Sequence, residues 1–165
     1  MPAVGKSCMG KAIAKKFNMK LVDGDKVIVK TDGRPLQQIM DEEGLEGFKR
    51  IEEETLLTIK EDNIVFTPGG SAVYYPSVME QFKKSGIVIY LYASADVISS
   101  RAVDFSKRGV VLKEGMTMQD LYNERAPLFE KYADITVSCD GTDFKKYRWD
   151  AIKKIEYYLN KIGQK

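Results

Sequence analysis

Met1-Pro2-Ala3-Val4-Gly5-Lys6-Ser7 opens the chain and reads as the last seven residues of a phosphate-binding loop. Such a loop needs small residues that let backbone N–H groups face phosphate oxygens, a Lys that reaches the β- and γ-phosphates, and a hydroxyl for Mg²⁺. Gly5, Lys6 and Ser7 supply those parts. The first Gly of the G-x-x-x-x-G-K-[ST] pattern would fall one position ahead of Met1, and the strand that leads into the loop would lie ahead of that. The expectation is a strand–loop–helix fold whose first central strand is missing from this chain. Gly-Lys-Ser alone fits any helix start rich in small residues equally well, so the rest of the chain has to decide.

Composition narrows the partners. With 165 residues, 44% of them hydrophobic and 30% charged, the chain has the makeup of one globular domain with a substantial core. Lys and Arg total 26 against 24 Asp and Glu, and no long basic block is present. That balance argues against a nucleic acid held by phosphate neutralisation and points to small anions. The sequence has no apolar run of membrane-spanning length and no charged-then-apolar leader, so the expectation is a cytoplasmic monomer with no membrane partner. Cys8 and Cys139 suit a reducing compartment and form no zinc or disulfide pattern. The chain contains no histidine. This removes Ser-His-Asp and Cys-His nucleophile schemes and histidine metal sites, leaving acid–base work to carboxylates, Lys or a metal-bound oxygen.

Hydrophobic periodicity alternates between short strand-like runs and longer helical ones. Helices are expected over 5–17, 35–43, 44–60, 76–84, 95–104, 117–131 and 144–162, and strands over 20–22, 64–67, 87–91 and 135–137. Strands alternating with helices indicate an α/β fold with a three-layer, doubly wound parallel sheet. In such sheets ligands sit at the C-terminal ends of the strands. Gly5-Lys6-Ser7, Asp23-Gly24-Asp25 and Pro68-Gly69-Gly70 all lie where a strand ends or should end, so they are expected to converge on one crevice.

Asp23 and Asp25, set two apart across Gly24, are suited to holding Mg²⁺ and to accepting a proton from a substrate hydroxyl. An Asp-rich turn would explain them as well. Gly69 and Gly70 let backbone amides approach a ligand closely. Lys49 and Glu52 lie one helical turn apart, so the carboxylate could orient the ammonium. Arg101, Lys107 and Arg108 flank or enter a polar stretch over 105–118 that could act as a cationic lid, and Arg125 follows on a helix returning toward the crevice. Trp149, Tyr157 and Tyr158 are expected to pack in the core or between helices.

Taken in order, Gly5-Lys6-Ser7, Val22-Asp23-Gly24-Asp25, the Glu43–Glu52 segment with Phe48-Lys49, Pro68-Gly69-Gly70 and the run Asn123-Glu124-Arg125-Ala126-Pro127-Leu128 resemble shikimate kinase. That family has a P-loop, nucleoside-monophosphate-kinase-like fold, and the resemblance covers essentially the whole chain as a single domain over 1–165. It implies an ATP-dependent kinase in which Val4, Gly5, Lys6, Ser7 and Cys8 hold the nucleotide, with Mg²⁺ at Ser7 and Asp23. It further implies Asp25 as base and hydroxyl ligand, Lys49, Gly69, Gly70 and Arg125 around the acceptor, and Arg108 reaching the nucleotide phosphates from the lid. On this reading Lys6, Asp25 and Arg108 are the catalytic groups.

The chain departs from the family pattern in three places. Lys49 stands where the family has an Arg that forks around the shikimate carboxylate, a planar pairing that Lys cannot reproduce. Pro68-Gly69-Gly70-Ser71 keeps two of three glycines, and Arg108-Gly109-Val110-Val111 keeps the lid charge on a softer backbone. Three functions are therefore weighed: phosphorylation of shikimate, phosphorylation of another small hydroxylated metabolite, and non-catalytic nucleotide binding.

Overall fold

The computed structural model describes residues 1–101 and 115–163. Residues 1–5 form a turn and a bend, and Gly5 at φ 103° opens helix α1 (Lys6–Phe17). After strand β1 (Lys20–Asp23) come helix α2 (Gly24–Asp32) and helix α3 (Leu36–Leu57). Inside α3, Gly44 has non-helical angles of φ 68° and ψ −175°. A residue with a Cβ rarely adopts that φ, so Gly44 makes the break expected between two helices. Strand β2 (Ile64–Thr67), a 3₁₀ turn (Ala72–Tyr74), helix α4 (Pro76–Ser85), strand β3 (Ile89–Tyr92) and helix α5 (Ala95–Arg101) follow. Helix α6 (Met118–Tyr132), strand β4 (Ile135–Ser138) and helix α7 (Phe144–Gly163) complete the described chain. Thr117 and Met118, expected at the end of the lid, are the cap and first residue of α6.

Both described strand pairs are parallel. Lys20 to Asp23 pair with Ile64 to Thr67 in register, and Ile89 to Tyr92 pair with Ile135 to Ser138. Alternating side chains sort onto two faces. On one face Val65, Ile89, Leu91, Ile135 and Val137 pack with Met9 and Ile13 of α1 and Ala151 and Ile155 of α7. On the other face Phe66 meets Phe82 of α4 at 5.3 Å between ring centroids, and Tyr90 stacks on Phe129 of α6 at 5.2 Å. Helices thus cover both faces, the three-layer arrangement expected of alternating strands and helices.

The described strands form two two-stranded sheets, β1-β2 and β3-β4. A cavity of about 670 Å³ lies between β2 and β3, lined by consecutive residues from Asp62 to Gly70 and from Lys84 to Leu91. Because successive side chains of a strand point to opposite faces, an unbroken run of lining residues means that the cavity runs along the two backbone edges. Met1, Val4 and Lys6 lie at the same cavity.

Two local expectations are corrected. α2 covers the Val27-Ile28-Val29 stretch that had no expected helix, because Asp23 caps it by accepting from the Lys26 amide at 3.3 Å and Ile28 anchors it in the core with Ile39 and Phe48. Trp149 and Tyr157 of α7 are 64% and 72% exposed, so they lie outside the core, whereas Tyr158 packs against it.

Candidate active site

The turn after β1 and the turn after β2 touch. A Cβ on Gly24 would stand 2.9 Å from the Pro68 Cα, and one on Gly69 would stand 3.4 Å from Asp25 Oδ1 and 2.9 Å from Glu52 Oε1. Only residues without side chains allow that approach, which brings Asp25, Glu52 and the Gly69-Gly70 turn to one place. A Cβ on Gly70 would meet Arg125 Nη1 at 3.1 Å, adding α6 to the same cluster.

The N-terminal end of the chain comes up to this cluster, with the Met1 carbonyl carbon 4.0 Å from where a Gly70 Cβ would stand. Gly5 caps α1 without a side-chain bond, and no acidic residue sits in the first turn. The positive end of the α1 dipole lies at this end, which suits an anion. Ser7 and Cys8 are exposed, Val4 is buried, and Lys6 Nζ donates to the Met1 carbonyl at 2.9 Å. Asp25 opens to solvent in the first turn of α2. Crowding by protein atoms raises its carboxyl pKa above the ordinary 3.8, the negative charge of Asp23 adds to this, and the Lys6 ammonium opposes it. These electrostatic couplings bring Lys6, Asp23 and Asp25 into one field.

Across the crevice a second cavity of about 240 Å³ is bordered by Lys49, Glu52, Ser71, Tyr74 and Arg125. Glu52 is 1% exposed and accepts from Ser71 Oγ and Tyr75 OH, both at 2.7 Å. Burial raises its carboxyl pKa, while those two hydrogen bonds pull it back. Arg125 is also buried, and its Nε donates to Tyr74 OH at 3.0 Å. The helix that carries it begins at a capping box in which Thr117 accepts from the Asp120 amide and Asp120 accepts from the Thr117 amide.

The expected Lys49–Glu52 pairing is not formed. Lys49 Nζ binds Glu46 at 2.6 Å on the helix surface, because Glu52 is turned inward to the two hydroxyls. Arg108 lies outside the described residues, as does the 102–114 portion of the expected lid. Among the described residues no group of three or more His, Cys, Asp or Glu could hold a metal ion, and no helix is long and apolar enough to cross a membrane.

Residues 2–156 match the family model of shikimate kinase. The chain belongs to the shikimate kinase family. Shikimate kinase of Francisella tularensis subsp. novicida is 32% identical, over 94% of this chain and 88% of its own length, and that of Francisella philomiragia is 31% identical over the same shares. The solved structure of shikimate kinase from Acinetobacter baumannii in complex with shikimate has a TM-score of 0.83 and 26% identity, covering 96% of this chain and 89% of that one. The Aquifex aeolicus shikimate kinase superposes with a TM-score of 0.83 at 22% identity, over 96% of this chain and 94% of that one, a likeness of fold.

Several further residues border the crevice without a signal in the sequence. Tyr74 and Tyr75 sit beside the glycine turn, and nothing in their sequence spacing signals which hydroxyl meets which charge. Phe144 is 47% exposed, its Cε1 lies 3.9 Å from where a Gly5 Cβ would stand, and the Arg101 guanidinium sits 5.6 Å from its ring centroid. An exposed aromatic at the start of the last helix gives no sequence signal until the fold places it beside the phosphate loop.

Proposed function

We propose that this protein transfers the γ-phosphoryl group of ATP to a hydroxyl of shikimate, forming shikimate 3-phosphate. The observation that carries this reading is the single crevice in which the Lys6 helix terminus, Asp25, the Gly69-Gly70 turn and Arg125 meet, in a chain of the shikimate kinase family.

The roles follow from chemistry and position. The amides of Val4, Gly5, Lys6, Ser7 and Cys8 and the Lys6 ammonium cradle the nucleotide phosphates. The exposed Phe144 ring beside Gly5, with Arg101 against it, offers a stacking face for the base. The hydroxyl of Ser7 and the carboxylate of Asp23 are hard oxygen donors of the kind Mg²⁺ takes, one or two from protein and the rest from phosphates and water. Mg²⁺ supplies neutralisation of the phosphate charge when bound. Asp25 accepts the proton of the attacking hydroxyl, and its raised pKa makes it a better base than an ordinary carboxylate. Gly69 and Gly70 let the acceptor ring approach the backbone, and the carboxylate of the acceptor meets Arg125 and Lys49. Arg108, outside the described residues, is the further cation that the family resemblance assigns to the nucleotide phosphates. ATP and shikimate are both cytoplasmic-type small metabolites, which fits a chain with no membrane-spanning helix among its described residues.

One observation favours a second acceptor: Lys49 is engaged by Glu46 and offers a point charge rather than a guanidinium fork. Exposed pairs of this kind are worth about 0.3–0.5 kcal/mol, so a substrate carboxylate can draw Lys49 away from Glu46. The two acceptor readings separate in a panel of hydroxy acids phosphorylated by wild type and Lys49→Arg. With shikimate as the natural acceptor, Lys49→Arg lowers the KM for shikimate by about tenfold, the gain of a second charge-assisted hydrogen bond. A preference for a differently shaped hydroxy acid, with Lys49→Arg weakening its turnover, would overturn the shikimate assignment.

A further inference from the structure

We propose that Tyr74 is a positioning residue for the acceptor carboxylate, acting by fixing the edge of Arg125 that faces the crevice. The proposal rests on the reading of Arg125 as the carboxylate ligand given above.

Arg125 is 4% exposed, and a guanidinium cannot shed its charge when buried. It therefore needs partners inside the protein. Tyr74 supplies two of them: its hydroxyl accepts from Arg125 Nε at 3.0 Å, and its ring lies under the guanidinium at 5.0 Å from the centroid. The same hydroxyl donates to Glu124 Oε1 at 2.5 Å. The direction of this chain is forced, because a guanidinium has no lone pair to offer the phenol proton. The Tyr74 proton must point to Glu124, and its oxygen must receive the Arg125 proton. Burial, followed by the bond to Glu124, raises the phenol pKa above its ordinary 10, so the hydroxyl keeps that proton throughout the neutral range.

The consequence for recognition is geometric. A guanidinium can clamp a carboxylate in parallel either along its Nε–Nη side or across its two Nη ends. With Nε held by Tyr74, only the end with both Nη groups is left for a bidentate clamp, and Nη1 already lies against the Gly70 turn. Tyr74 is the last residue of the 3₁₀ turn that follows Gly69-Gly70-Ser71, and its neighbour Tyr75 donates to the buried Glu52 of α3. The two tyrosines tie the glycine turn to a cation on α6 and a carboxylate on α3. The angle at which Arg125 meets a ligand is thereby referred to the backbone that the ligand approaches.

Tyr74→Phe keeps the ring and removes the hydroxyl. In the full-length variant, ¹⁵N spectra are expected to show solvent exchange of the Arg125 Nε–H at least about tenfold faster than in wild type. The KM for shikimate rises about tenfold, kcat falls by less, and the KM for ATP shifts by less than about twofold. Exchange that is unchanged, or KM values for both substrates that rise together, would overturn the proposal. If wild type fails to phosphorylate shikimate, the function proposed above is wrong, while the Nε–H exchange still decides whether Tyr74 holds Arg125. Should Tyr74→Phe not fold, Glu124→Gln removes the charge that orients the phenol proton, and the same split between the two KM values is expected at about threefold. Its absence there would overturn the proposal too.

Discussion

Replacing Lys6 with Ala is expected to lower kcat/KM for phosphoryl transfer by at least about a thousandfold, the upper range for loss of one preorganised charge in a transfer site. Phosphoryl transfer leaves the protein little covalent work, so catalysis is mostly placement and neutralisation of charge on the transferring group. Lys6 is half-exposed at the first turn of α1, at the positive end of the helix dipole. Its ammonium donates to the Met1 carbonyl at 2.9 Å. The loss of that bond costs about 1 kcal/mol of stability, so the variant should still melt cooperatively. Steady-state turnover beside thermal melting makes the measurement. A folded Lys6→Ala protein with wild-type turnover would remove Lys6 from the reaction and the kinase reading with it.

Asp25→Asn is the second large effect, with kcat expected to fall about a hundredfold to ten-thousandfold, the range for losing a positioned general base. Wild-type kcat/KM should decline on the acid side as the Asp25 carboxylate takes up a proton, at a pH above the ordinary 3.8 because crowding and the charge of Asp23 raise its pKa. The Asn variant loses that acid limb. Stability moves in the opposite sense. A carboxyl whose pKa is raised by folding contributes stability that is fully present below its unfolded value and disappears as pH rises through the folded one. At neutral pH the ionised Asp25 therefore costs stability, and Asp25→Asn should melt no lower than wild type there, with the advantage shrinking as pH falls. A lower melting temperature at neutral pH together with undiminished kcat would contradict the assignment of Asp25 as base.

The sequence carried the outline of this arrangement because its decisive signals are local. Strand ends at Asp23 and Thr67 are marked by Asp-Gly and Pro-Gly, and the helix break at Gly44 is marked by the one residue that tolerates its backbone angles. The contact between Gly24 and Pro68 is the physical reason that two distant glycine turns form one crevice. What stayed hidden depends on partners far apart in sequence. Glu52 looked like a surface partner for Lys49 at helical spacing, but the hydroxyls of Ser71 and Tyr75 draw it into the interior. Val27-Ile28-Val29 is β-branched and reads poorly as helix, yet burial of Ile28 against Ile39 and Phe48 outweighs that propensity. Trp149 and Tyr157 show the converse, large apolar side chains left on the solvent face of α7.

Transfer of phosphate from ATP to shikimate at this crevice is open to direct observation by ³¹P NMR of the purified protein with Mg²⁺, ATP and shikimate. The γ-phosphate resonance is expected to disappear as ADP and one new sugar-type phosphomonoester resonance grow in equal amounts, with neither formed when Arg125→Ala replaces wild type at a shikimate concentration near its KM. ADP accompanied only by inorganic phosphate, or an ATP spectrum that shikimate leaves unchanged, would contradict it.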